Sequence, residues 1–83
     1  MNIKYFSWIR EGIGKSDENL TKPDIVVSVK DLLDHLSTLS EQHATALRER
    51  VFVKVAVNQI HTDHDAPVND SDEVAIFPPV TGG

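Results

Sequence analysis

The chain has 83 residues, of which 40% are hydrophobic and 25% charged, with no cysteine and a formal net charge of -5. That length supports one domain around one core. Lacking cysteine, the chain has no disulfide framework, thiolate metal site or cysteine nucleophile, and its acidic balance argues against nucleic acid, whose phosphates require clustered Lys and Arg.

The first stretch, residues 2–9, alternates Ile3, Tyr5, Ser7 and Ile9 against Lys4, Phe6 and Trp8, the period of a strand. Residues 10–24 gather Gly, Asp, Asn and Pro and read as a connection, with at most one helical turn at its start. "DIVVSV" is β-branched and alternating, so a second strand is expected there. Ser28 then has the makings of an N-cap, with Asp31 in the capping-box position. Val29, Leu32, Leu33, Leu36 and Leu39 follow at helical spacing. Ser40 is placed to cap a second short helix over "EQHATALRER", in which Ala44 and Leu47 continue the apolar stripe.

"VFVKVAVN" reads as a strand with Val51, Val53, Val55 and Val57 on one face. Asn58-Gln59 begins a turn, since Asn tolerates positive φ. "HTDHDAPVNDSD" is polar and turn-rich, and "EVAIFPPV" holds the last strand. The expected order is strand, strand, helix, helix, strand, strand: an α+β domain with helices packed on one face of a mixed sheet. No apolar run approaches the ~20 residues of a membrane span, and "MNIKYFSWIREG" lacks a signal-peptide layout. A soluble, cytoplasmic protein is therefore expected, with neither membrane nor nucleic acid as partner.

Two motifs invite chemistry and do not support it. "GIGKS" lacks the glycine that a phosphate-binding loop places five residues before its Gly-Lys pair; Ile9 stands there. "HTDHD" offers His61, Asp63, His64 and Asp65, but a tetrahedral site needs convergent ligands, and only His35 or His43 on the helices are left to supply them. No metal is expected, and the part played by His61 and His64 stays open. No Ser, His and Asp arrangement marks a triad, and so short a chain leaves little room for an enclosed catalytic pocket. The chain is not expected to be an enzyme on its own.

The end, "FPPVTGG", carries the functional signal. Residues 1–77 read as the domain and 78–83 as a flexible tail. Pro78 and Pro79 lack the N–H for ladder pairing and hold an extended course. Six extended residues reach about 20 Å at ~3.3 Å each. Gly82 and Gly83 present no side chain, so the terminal carboxylate can thread a channel as wide as a backbone. A carboxylate delivered this way suits attack on the α-phosphate of ATP, giving an acyl-adenylate that sulfur or an amine can then displace.

"DSDEVAIFPPVTGG" (70–83), with "FSWIREGIG" (6–14) and "VAVNQ" (55–59), resembles the small subunits of molybdopterin synthase, which are ubiquitin-like sulfur carriers. Ser71 departs from the Gly usual there. The resemblance implies a β-grasp fold with the last strand central beside the first. It implies that an ATP-dependent adenylating enzyme activates Gly83, that a sulfur donor converts it to a thiocarboxylate, and that the sulfur passes to cyclic pyranopterin monophosphate in the large subunit. Two transfers complete the dithiolene of molybdopterin, on the route to the molybdenum cofactor. The implied assembly is a heterotetramer of two small and two large subunits. Pro78, Pro79, Val80, Thr81 and Gly82 would lie inside the partner. Phe6, Phe77 and His61 would contact it, and this chain would bind no cofactor beyond the covalent sulfur.

Alternation supplies a matching surface. If the valine face packs on the helices, Phe6, Phe52 and Phe77 lie on the uncovered face, as a partner patch or as a second small core under the 10–21 connection. Three other functions remain in view: a carrier for thiamine synthesis or tRNA thiolation, a protein modifier conjugated through Gly83, and a plain interaction module.

Overall fold

The computed structural model describes residues 1–79; Val80, Thr81, Gly82 and Gly83, the tip of the expected tail, lie outside the described residues. In chain order the elements are β1 (Asn2–Tyr5), α1 (Ser7–Ile13), β2 (Asp17–Asn19), α2 (Val29–Leu36), α3 (Glu41–Ala46), a 3₁₀ turn (Arg50–Phe52), β3 (Lys54–Val57), β4 (Ile60–Thr62) and β5 (Glu73–Phe77). The strands form one five-stranded sheet in the order β2-β1-β5-β3-β4. β1 and β5 run parallel, and the other neighbours pair antiparallel. This is the β-grasp arrangement, with the last strand central beside the first.

One face of the sheet supplies Ile3, Tyr5, Val55, Val74 and Ile76 to the core. From above it, α1 contributes Ile9 and Ile13, α2 contributes Val29, Leu32, Leu33 and Leu36, and Leu47 follows from the end of α3. Ser28 caps α2 with the expected box: its hydroxyl accepts from the Asp31 N–H while the Asp31 carboxylate accepts from the Ser28 N–H. Ser40 likewise accepts from the His43 N–H at the start of α3. Asn58 (φ 52°) and Gln59 (φ 70°) both take the left-handed conformation, as a two-residue hairpin turn with the right twist for β3 and β4 demands. No helix among the described residues is long and apolar enough to cross a membrane.

The structure corrects several boundaries. The strand read over 2–9 stops at Tyr5, and residues 7–13 are α1. Tyr5, Ile9 and Ile13 are spaced i, i+4, which satisfies a helix as well as alternation does; only Ile9 and Ile13 of α1 are buried, which decides it. Gly14 closes the helix at φ 88°, its N–H bonded to the Arg10 carbonyl, a left-handed C-cap. The second strand is not "DIVVSV" but the polar Asp17–Asn19, inside the segment read as a connection. "DIVVSV" turns instead, with only an isolated bridge from Ser28 to Pro67, and Ile25 and Val27 stay exposed. Its amides go elsewhere: Val27 N–H to the Asp31 carboxylate and Val29 N–H to the Ala66 carbonyl.

Leu39 falls outside α2 and is exposed. The strand expected from Val51 begins at Lys54. Arg50 reaches the Leu47 carbonyl, Asp34 and the Ser37 hydroxyl, holding residues 50–52 in a 3₁₀ turn that leaves Val51 exposed. "HTDHD", read as loop, gives β4 its His61 and Thr62, because the Asn58-Gln59 turn folds them back onto β3.

Candidate functional site

β5 shows how the sheet sorts its side chains. Val74 and Ile76 are buried, while Ala75 and Phe77 point to the face the helices leave open. Tyr5 pairs with Ile76, and the Phe6 N–H donates to the Ile76 carbonyl at 3.1 Å. Phe6 is still extended (φ -130°, ψ 154°) before the chain turns into α1. Alternation therefore carries through it and sets Phe6 on the open face beside Phe77. On the other flank, β3 places Lys54 opposite Phe77, and Ala56 sits between Ala75 and His61. The His61 and Phe77 rings lie 5.2 Å apart at a 59° tilt, within the range where such pairs attract.

Phe6 and His61 are exposed, and Phe77 is half-buried. Pro78 and Pro79 follow at once, half-buried and outside any strand. The fold thus brings Phe6, Phe77 and His61 together at the root of the tail. It does not place Phe52 with them by strand alternation, since Phe52 sits in the 3₁₀ turn. Nor does the 10–21 segment roof these rings: Phe6 keeps 44% and Phe52 52% of its surface exposed, so no second core forms there. Val80, Thr81, Gly82 and Gly83 complete the expected site and lie outside the described residues.

The ThiS family model matches residues 3–83. The chain belongs to the ThiS family. Among its relatives, the Escherichia coli K12 protein named molybdopterin synthase sulfur carrier subunit is 37% identical, over 100% of this chain and 99% of that one. The Haemophilus influenzae protein of the same name is 35% identical over the same shares. Among solved structures, small archaeal modifier protein 1 from Haloferax volcanii superposes with a TM-score of 0.73 at 27% identity, covering 96% of this chain and 97% of that one.

In this ThiS-family chain the two histidines of "HTDHD" part company. His61 faces Phe77, while the His64 Nε2–H donates to the Val53 carbonyl at 2.8 Å. Among the described residues no group of three or more His, Asp or Glu side chains is placed to hold a metal ion.

A polar cluster under the helices escaped the sequence reading. The Tyr5 hydroxyl donates to Glu18 Oε2 at 2.6 Å, and His43 Nε2 meets the same oxygen at 2.7 Å. The other His43 nitrogen, Nδ1, lies 2.7 Å from the Ser40 hydroxyl. With Ser40 donating to Nδ1, the Nε2–H donates to Glu18 and every group is satisfied. Burial pushes the Tyr5 phenol well above its ordinary range, and the hydrogen bond to Glu18 and that carboxylate's charge push the same way. For Glu18 the largest single influence, burial, pushes upward. The hydrogen bonds from Tyr5 and His43, with the nearby His43 and Lys15, outweigh it and hold the carboxyl below its ordinary value. The cluster ties β2 to β1 and α3. The one sequence signal for it was Ser40 three residues ahead of His43; Glu18, in a polar stretch, gave none.

Proposed function

We propose that this chain is the sulfur-carrying small subunit of a molybdopterin synthase, with Gly83 as its working residue. The observation that carries the reading is the placement of an exposed aromatic patch at the root of the tail. Phe6, Phe77 and His61 lie on one face where β5 hands over directly to Pro78, and the Escherichia coli and Haemophilus influenzae relatives share the carrier name over full length. The docking face then leads along the chain, through Pro78 and Pro79, toward the reacting end. The patch orients the domain on the large subunit while Pro78, Pro79, Val80, Thr81 and Gly82 reach into it.

The Gly83 carboxylate attacks the α-phosphate of ATP on an adenylating enzyme, forming the acyl-adenylate and releasing pyrophosphate. Sulfur delivered at the sulfide oxidation level attacks the acyl carbon, AMP leaves, and a thiocarboxylate remains. In the large subunit that sulfur passes to cyclic pyranopterin monophosphate, water restores the carboxylate, and a second charged carrier supplies the second sulfur. This chain contributes the acyl carbon and its delivery; side chains that bind the pterin belong to the partner, in an assembly of two small and two large subunits. The cytoplasm, where ATP is at hand, is the proposed compartment.

Deleting Gly83 tests the reading. Sulfur transfer in a purified system with the large subunit should be lost, with the melting temperature almost unchanged. Retained molybdopterin formation would overturn it. A second reading, conjugation to substrate lysines through Gly83, draws support from the name of the Haloferax structure. Intact-mass measurement separates the two: sulfur in place of one oxygen on the free chain supports the carrier, and high-mass conjugates support the modifier.

A further inference from the structure

Among the described residues the open face carries one ion pair, Lys4 with Glu73 at 3.5 Å, and these two charges cancel. Lys54 is different. It is exposed on β3, directly opposite Phe77, and among the described residues it has no ion-pair partner. Asp63 lines the same shallow cleft of about 360 Å³ without pairing with it. The other positions around Phe77 on this face are aromatic or small: Phe6, His61, Ala56 and Ala75. An uncompensated cation therefore stands against the aromatic patch of a chain whose net charge is -5.

Covering that patch with an apolar partner surface would strip water from the Lys54 ammonium, a cost that an opposing charge offsets. The lysine stem is flexible, so its head can stay at the rim of an interface while the methylenes pack beside Phe77. We infer that the surface docking on this face presents a carboxylate over Lys54, next to the contact it makes with Phe77. Lys54 then acts as a selectivity contact, attracting an acidic rim that the rest of this acidic chain would repel. The inference rests on the proposed pairing with a synthase large subunit and adds the charge its docking surface carries.

The test is calorimetric titration of the large subunit from the same cell with wild type, Lys54→Glu, Lys54→Gln and Arg48→Glu, at low and high salt. Arg48, exposed just after α3, carries the same charge change away from the patch. Lys54→Glu should weaken binding about tenfold at low salt and Lys54→Gln by less, with both differences shrinking at high salt as screening sets in. Arg48→Glu should stay close to wild type. If Lys54→Glu binds like wild type, or if Arg48→Glu weakens binding as much, the local contact is overturned while the carrier reading stands. If wild type itself does not bind, both fall together. Unchanged melting temperatures for all variants confirm that the comparison is one of folded proteins.

Discussion

The two faces of the sheet are built from the same strands and do opposite work. On the covered face, Ile3, Tyr5, Val55, Val74 and Ile76 are at most 2% exposed and lie under three short helices. On the open face, Phe6 and His61 are exposed and Phe77 is half-buried. One residue step along β5, from Ile76 to Phe77, separates a side chain that holds the fold from one turned to the uncovered face. Burial alone makes the difference: a large apolar group stabilises whatever excludes water from it, and the helices reach only one face.

The largest effect should come from reversing that logic on the covered face. Val55→Asp would bury an unpaired charge among Leu and Ile side chains and should cost roughly 4 kcal/mol or more, comparable to the stability of a small domain. Circular dichroism should show an unfolded chain at 25 °C, and a folded, active variant would mean that the faces are wrongly assigned.

At the edge of the same face, Glu18→Ala strands the Tyr5 hydroxyl and His43, a loss of about 2 kcal/mol at neutral pH. Because the folded protein holds the Glu18 carboxyl below its ordinary 4.5, its stabilisation is present above that value and fades as pH falls through the folded-state value. Urea unfolding of wild type and Glu18→Ala should therefore differ at neutral pH and converge in acid. A difference independent of pH would remove the carboxylate from the explanation.

On the open face the balance shifts from folding to binding. Phe77→Ala should weaken association with the large subunit by over about 1 kcal/mol, while the midpoint of thermal unfolding moves little. Equal affinity of mutant and wild type in calorimetry would return Phe77 to a structural role. The mildest change is Pro78→Ala, which restores freedom that the partner must then remove, at up to about 1 kcal/mol in binding and nothing measurable in fold stability.

Much of the local chemistry was legible in the residues. The Ser28–Asp31 box, the Ser40 cap, the Leu32/Leu33/Leu36 stripe, the Asn58-Gln59 turn and the alternation of 73–77 each depend on neighbours within a few positions. Alternation also sets Phe6 and Phe77 on the uncovered face, although the strand it implies for residues 2–9 stops at Tyr5; His61 joined them only through the family resemblance. Phe52 was misplaced with them because a period of two says nothing about where a strand begins.

The sequence by itself determined the elements whose hydrogen-bond partners and apolar contacts lie close along the chain, together with the motif at its end. Tertiary structure decided the rest. Residues 7–13 are too short for a helix to be stable alone, and they become one because Ile9 and Ile13 find the core. "DIVVSV" has strand residues but finds no ladder, whereas the polar Asp17–Asn19 becomes an edge strand because β1 offers it partners at Asn2, Ile3 and Lys4. Glu18, Tyr5 and His43 stand 13 and 25 residues apart along the chain, and only the folded sheet brings them to one oxygen. Strand preference is largely a matter of fitting a surface, and the surface exists only once distant segments have packed to make it.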